Sequence, residues 1–264
     1  MTVHFIGAGP GAADLLTVRA TRLLQASPVC LYAGTYLDEA VLAHCPPGAD
    51  LVDTQGMNLD AITARMVAAH EAGEDVARLC SGDPSVYSAV AEQARRLDAA
   101  GVPWDVTPGI PAYAATAALV GRELTVPEVA QSVVLTRAQR DSTAMPKGEE
   151  LAAFAATGAT LVLHLAIRHT RRLAEELTAH YGADCPVVVG SQVSGPDELV
   201  LRGRLGDIAD QVEAHGLRQA AVIIVGWALE AEGFVESHLY SSRRARAEGG
   251  PAGQSTAVPS SSTT

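Results

Sequence analysis

Apolar residues in the first part of the chain keep two alternating rhythms. Short runs stand at 3–8, 29–32, 49–53, 75–80 (DVARLC) and 104–107, each the length of a buried strand. Between them, apolar residues recur at helical spacing over 15–25, 37–44, 58–72, 83–100 and 113–119. The punctuation agrees with this reading. Pro28 and the turn CPPG at 45–48 stop helices, Asn58 suits an N-cap, and Gly73 and Gly101 suit helix ends. Asp83 and Pro84 read as the N-cap and first residue of the helix over 83–100. Strand and helix in strict alternation predict a mostly parallel sheet. Strands that are apolar on both sides predict helices packed on both of its faces.

The second half has another texture. Strands are expected at 132–137 (SVVLTR), 160–165, 187–193, 199–204 (LVLRGR) and 220–225 (AAVIIV), with helices at 149–156, 170–181 and 207–215. Several strands are joined by short links, which predicts a mixed sheet. The expected fold class is therefore α/β, with two α/β domains over 1–121 and 122–240 and a linker over 121–127. From Ser241 onward Arg, Ala, Gly, Pro, Ser and Thr dominate, and 241–264 reads as a disordered tail that cannot bury a core.

Bulk properties narrow the function classes. The 264 residues suffice for two cores. A net charge of −11 repels a phosphate backbone, and aromatics at 4% leave few stacking platforms, so nucleic acid is not an expected partner. An anionic small molecule stays possible if local basic residues serve one pocket. Cys30, Cys45, Cys80 and Cys185 show no C-x-x-C spacing and read as reduced thiols of a cytoplasmic protein. There is no H-E-x-x-H pattern, and His164 and His169 are five apart, so no metal site is expected. Neither a signal peptide nor an apolar run of the ~18 residues a membrane span needs is visible.

The stretch VHFIGAGPGAADLLT at 3–17 fits the loose dinucleotide fingerprint G-x-G-x-x-(G/A). It fails in chemistry. No carboxylate follows the second strand before Asp38, and Pro10 removes an N–H from the loop.

Five patches in order resemble a different family, the tetrapyrrole methyltransferases of cobalamin and sirohaem synthesis. They are GAGPG at 7–11 with DLLT at 14–17, YAG at 32–34, SGDPSVY at 81–87, TPGIPA at 107–112 and ELTVPEVAQSVVLTR at 123–137. Together with GWAL at 226–229 they span residues 3 to about 238. The resemblance implies S-adenosyl-L-methionine as methyl donor, no metal, a tetrapyrrole substrate, a homodimer, and an active site in the cleft between two domains. By the same resemblance Pro10, Ser81, Gly82, Asp83, Val86, Pro111, Ala112, Leu165, Val193 and Gly226 are expected to contact the donor. Each small or apolar residue among them also fits an ordinary turn or core position.

A tetrapyrrole carries carboxylate side chains, and an acidic protein must meet them with local cations. Arg19, Arg122, Arg137, Arg140 and Lys147 lie near the cleft loops in sequence, with Arg137 and Arg140 favoured because they follow the interdomain segment. Gly9 is expected to bring the first loop close to the substrate. Asp14 and Glu123 are candidate proton acceptors, and solvated or capping carboxylates otherwise.

Overall fold

A computed structural model describes residues 1–34, 37–138 and 144–236. Thr35, Arg140 and the expected tail from Ser241 lie outside the described residues.

The first sheet contains β1 (Val3–Gly7), β2 (Val29–Tyr32), β3 (Asp50–Asp53), β4 (Val76–Cys80) and β5 (Trp104–Thr107) in the order β3-β2-β4-β1-β5, all parallel. Both faces are covered, as the unbroken apolar strands require. On one face Val3, Phe5, Val29, Leu31 and Val76 pack with Ile62 and Met66 of α3 (Leu59–Glu71) and Leu97 of α4 (Val90–Ala99). On the other, Ile6, Cys30, Ala77 and Leu79 pack with Ala20 and Leu24 of α1 (Val18–Ala26). A short α2 (Glu39–Leu42) follows β2, and Asp38 caps it by accepting from Ala40 N at 2.8 Å.

The second sheet is mixed. It contains β6 (Val133–Arg137), β7 (Thr160–His164), β8 (Pro186–Ser191), β9 (Leu199–Arg204) and β10 (Ala221–Val225) in the order β6-β7-β10-β8-β9. Only β6 and β7 pair in parallel. Leu173 and Leu177 of α7 (Thr170–Tyr181) and Ile208 of α8 (Ile208–Ala214) pack on one face with Leu161, Leu163, Val187 and Val189. The short α6 (Leu151–Ala155) adds Ala155 to that core.

The other face is filled by α5 (Ala112–Val120), whose Ala117 and Val120 join Val162, Val188, Val222 and Ile224. This moves the division between the two packing units. The expected boundary at 121 left this helix with the first sheet, whereas it belongs to the core of the second. The chain therefore crosses between sheets at 108–111. The helix is almost wholly small and apolar, so its own pattern does not say which sheet it covers.

Two helix starts also differ from the sequence reading. The helix expected from 15 begins at Val18, after a 3-10 turn over Ala13–Leu15, because Thr17 Oγ1 accepts from Ala20 N at 3.1 Å and caps it there. The helix expected from 83 begins at Val90. Tyr87 (φ 54°) and Ala89 (φ 52°) are left-handed and break any helix across 84–89. The Asp83 carboxylate instead accepts from Ser85 and from the distant Gly109 N.

Candidate active site

All strands of a parallel sheet end on one edge, and the loops there gather ligands. In this molecule the loops after β1, β2, β4 and β5 meet loops of the second sheet after β7, after β8 and before β10. The space between them is a cleft of about 1670 Å³.

Glycines let these loops interlock. A Cβ on Gly109 would stand 2.7 Å from Gly7 Cα and collide with the Gly82 carbonyl oxygen; one on Gly7 would stand 2.9 Å from that oxygen. Three loops thus pack backbone on backbone. Gly9 and Gly82 form an antiparallel bridge, with Gly82 N donating to Gly9 O at 2.8 Å and Gly9 N to Gly82 O at 3.2 Å. Gly11 abuts the second unit: Val193 O lies 3.1 Å from where its Cβ would be, and Ala12 N donates to Ser194 Oγ at 3.0 Å.

Asp83 ties two of these loops together. Its Oδ2 accepts from Gly109 N at 2.8 Å, and its Oδ1 accepts from Ser85 N at 2.8 Å and from the Ser85 hydroxyl. Burial works against the charge, but the Ser85 and Gly109 donors outweigh it and hold the carboxyl below its ordinary pKa.

The cleft is lined by unusual backbone. Tyr87, Ala89, Leu165, Gln192 and Ala220 all have positive φ although none is glycine, and all five line it. Such conformations cost about 1–3 kcal/mol each and cluster at functional sites. Two of them hold large apolar groups in the open: Leu165 is 48% and Tyr87 47% exposed. A bound ligand would cover that surface. Beside them stands His164, whose ring lies 5.4 Å from Tyr87 and 6.3 Å from Tyr113. Burial lowers its pKa, and its Nε2 is buried without a hydrogen-bond partner among the described residues.

Nine of the ten expected donor contacts line the cleft: Pro10, Ser81, Gly82, Asp83, Val86, Pro111, Ala112, Leu165 and Val193. Gly226 does not. It follows β10 at the opposite edge of the second sheet, beside the first residues of β8 and β7, with its N donating to Pro186 O at 3.2 Å and Thr160 Cα 3.2 Å from an added Cβ. Gly9 is not on the cleft surface either; its backbone is used on Gly82. Asp14 is exposed in the 3-10 turn, and exposed Glu123 accepts from Thr125 Oγ1 at 3.1 Å. Arg122 donates to Ala231 O at 3.4 Å, away from the cleft. Arg137 donates to Ala138 O and Ala144 O, and its charge reaches Tyr87, where burial outweighs it and raises the phenol's pKa.

Among the described residues, the arginines that line the cleft are Arg78, Arg168, Arg172 and Arg218. The sequence reading missed all four. Arg168 and Arg172 closely follow β7, but in a mixed sheet strand ends alternate between edges, so a strand end does not reveal its side. Asp53 supplies a carboxylate beside β2, spent on Gly34 N at 3.2 Å and Gln55 N at 2.9 Å.

Fold and cleft define an α/β enzyme with its site between two sheets, and the comparisons say which. The chain belongs to the Tetrapyrrole (Corrin/Porphyrin) Methylases, whose family model matches residues 2–209. A precorrin-4 C(11)-methyltransferase of Rhodococcus erythropolis is 58% identical over 246 residues, covering 93% of this chain and 99% of the relative. The crystal structure of a cobalamin biosynthetic enzyme, cobalt precorrin-4 methyltransferase, superposes with a TM-score of 0.84 at 35% identity, covering 87% of this chain and 96% of that one. A uroporphyrin-III C-methyl transferase from Thermus thermophilus, solved with S-adenosyl homocysteine, gives 0.73 at 28% identity, covering 87% and 99%. No helix among the described residues is long and apolar enough to cross a membrane.

Proposed function

We propose that the chain transfers the methyl group of S-adenosyl-L-methionine to C11 of precorrin-4, giving precorrin-5. The observation that carries this reading is the cleft of about 1670 Å³ lined by Pro10, Ser81, Gly82, Asp83, Pro111 and Ala112. A single drug-sized ligand fills roughly 300–1,000 Å³, so a donor and a macrocycle fit side by side. The choice of C11 is supported by the 58% identity to the Rhodococcus enzyme of that name. The lower identity, 35%, to the cobalt precorrin-4 enzyme favours the cobalt-free substrate.

The donor supplies a methyl already activated on a sulfonium sulfur. The work left to the chain is alignment at near-attack distance and exclusion of water. Small residues at the loop junctions, Gly82, Pro111 and Ala112, allow close backbone approach to the donor. Leu165 and Val193 wall it from the second unit, and Asp83 keeps the loops after β4 and β5 in register. The same reading expects a cytoplasmic protein and a homodimer, the latter tested by light scattering on the purified protein.

Incubation with precorrin-4 and a 13C-methyl-labelled donor, followed by mass and NMR analysis, tests the reaction. One added methyl on C11 is expected, with higher kcat/KM for precorrin-4 than for its cobalt complex. No methyl gain, or a methyl on another carbon, rejects the proposal.

A further inference from the structure

Arg78 is a buried cation that meets no anion among the described residues. It sits in β4 and is only 9% exposed. Its Nε donates to Gln93 Oε1 at 3.0 Å, and its Nη1 to Thr54 Oγ1 at 3.3 Å, Leu79 O at 3.4 Å and Leu31 O at 3.5 Å. Every one of these acceptors is neutral. Among the described residues no carboxylate pairs with it, and the ionisable groups that act on it are the Cys80 and Cys30 thiols. Asp38 and Glu39 line the same cleft but are not among the charges it feels. Burial pushes its pKa below the ordinary value. Charged side chains are almost never buried this deeply unless paired.

Two of the three guanidinium nitrogens are spent on structure and the third is not. Nε and Nη1 clip β4 to β2, to Thr54 and to α4. Nη2 has no hydrogen-bond partner among the described residues, yet it is not one of the sealed, unpaired atoms. Arg78 instead reaches the cleft wall, together with Ala33, Gly34, Ser88 and Ala89.

We propose that the open edge of Arg78 binds a carboxylate of a molecule held in the cleft. The carboxylate comes from an acidic side chain of the tetrapyrrole or from the amino-acid end of the methyl donor. The identity of these two ligands rests on the function proposed above; the anion site itself rests on the unpaired guanidinium. Arginine gives a fixed, charge-assisted fork to a carboxylate, so such a contact orients the ligand as well as holding it.

The test uses the full chain with Arg78→Met and Arg78→Lys. Calorimetry measures S-adenosyl-L-methionine and its decarboxylated analogue. Fluorescence titration measures uroporphyrin III and its methyl ester, and turnover of precorrin-4 gives KM and kcat. If the tetrapyrrole supplies the carboxylate, Arg78→Met weakens uroporphyrin binding and raises KM by about tenfold or more, while donor affinity holds. If the donor supplies it, S-adenosyl-L-methionine loses about tenfold and its decarboxylated analogue does not change. Folded Arg78→Met that binds every ligand as the wild type does overturns the proposal. If Arg78→Met does not fold, the wild type decides: equal affinity for the acids and for both neutralised analogues also overturns it. A wild type that binds these ligands but leaves precorrin-4 unchanged refutes the proposed reaction and not the anion site.

Discussion

The amide of Gly109 donates to Asp83 Oδ2 at 2.8 Å, joining the loop after β5 to the loop after β4. Three donors converge on this one carboxylate, two of them from Ser85. Asp83→Asn puts an amide N–H against one of them. Turnover is expected to fall about tenfold or more, by the loss of a charge-assisted bond. The wild-type carboxyl titrates lower folded than unfolded, so its stabilising effect is complete above its ordinary value near ~4. That effect is lost as pH falls through the lower, folded pKa. Thermal melts across the acid range should show Asp83→Asn less stable at neutral pH and converging on the wild type in acid.

Gly109→Ala is expected to be far worse than its size suggests. The new methyl would press on Gly7 Cα and the Gly82 carbonyl, which are backbone and cannot swing away. A loss of about 3 kcal/mol or more in urea unfolding is expected, in the range of overpacked sites. Gly56→Ala is the control. Nothing lies within 4 Å of its added Cβ, and its φ is not positive, so its change should stay within about 0.5 kcal/mol.

Leu165 holds a strained backbone and an exposed side chain at once (φ 53°, 48% exposed). Leu165→Gly relieves the left-handed strain, worth roughly 1–2 kcal/mol, and gives back part of it as unfolded-chain entropy. The variant should be as stable as the wild type or up to about 1 kcal/mol more so. Calorimetry should show weaker donor binding in the same protein. A variant that loses stability and keeps donor affinity contradicts the role given to Leu165.

His164 titrates lower folded than unfolded, because burial disfavours its charged form. The unfolded chain therefore takes up the proton first. Stability is expected to fall as pH drops through the ordinary histidine value near ~6.5. His164→Gln should flatten this part of the profile, measured by urea unfolding at neutral and mildly acidic pH.

The strands were legible from apolar runs. Val29–Tyr32, buried at three of its four positions, matches the expected bounds, because a buried strand writes its length directly into the sequence. Trp104–Thr107 and Leu199–Arg204 match as well, although most of their residues are not buried. Helix starts were less so. Asp83 looks like a cap in isolation, and only the distant amide of Gly109 shows where its carboxylate goes. The glycine loops were readable as a group, since close backbone approach demands glycine. The left-handed residues Tyr87, Ala89 and Leu165 carry no local signal, because tertiary packing imposes them. The cationic lining was illegible for a similar reason. Arg78 reads as one charged letter inside the strand DVARLC, and its meaning depends on Thr54 and Gln93, far away in sequence.

Because α5 packs on the second sheet, the link at 108–111 is the covalent connection between the two packing units and, at Pro111, part of the cleft lining. Gly109 is pinned there by Asp83, and Pro111 lines the cleft. Any shift of one sheet against the other is transmitted through a residue of the cleft wall. Covalent linkage and ligand surface are then the same few residues, and a substitution that changes their backbone should alter binding and release rates together.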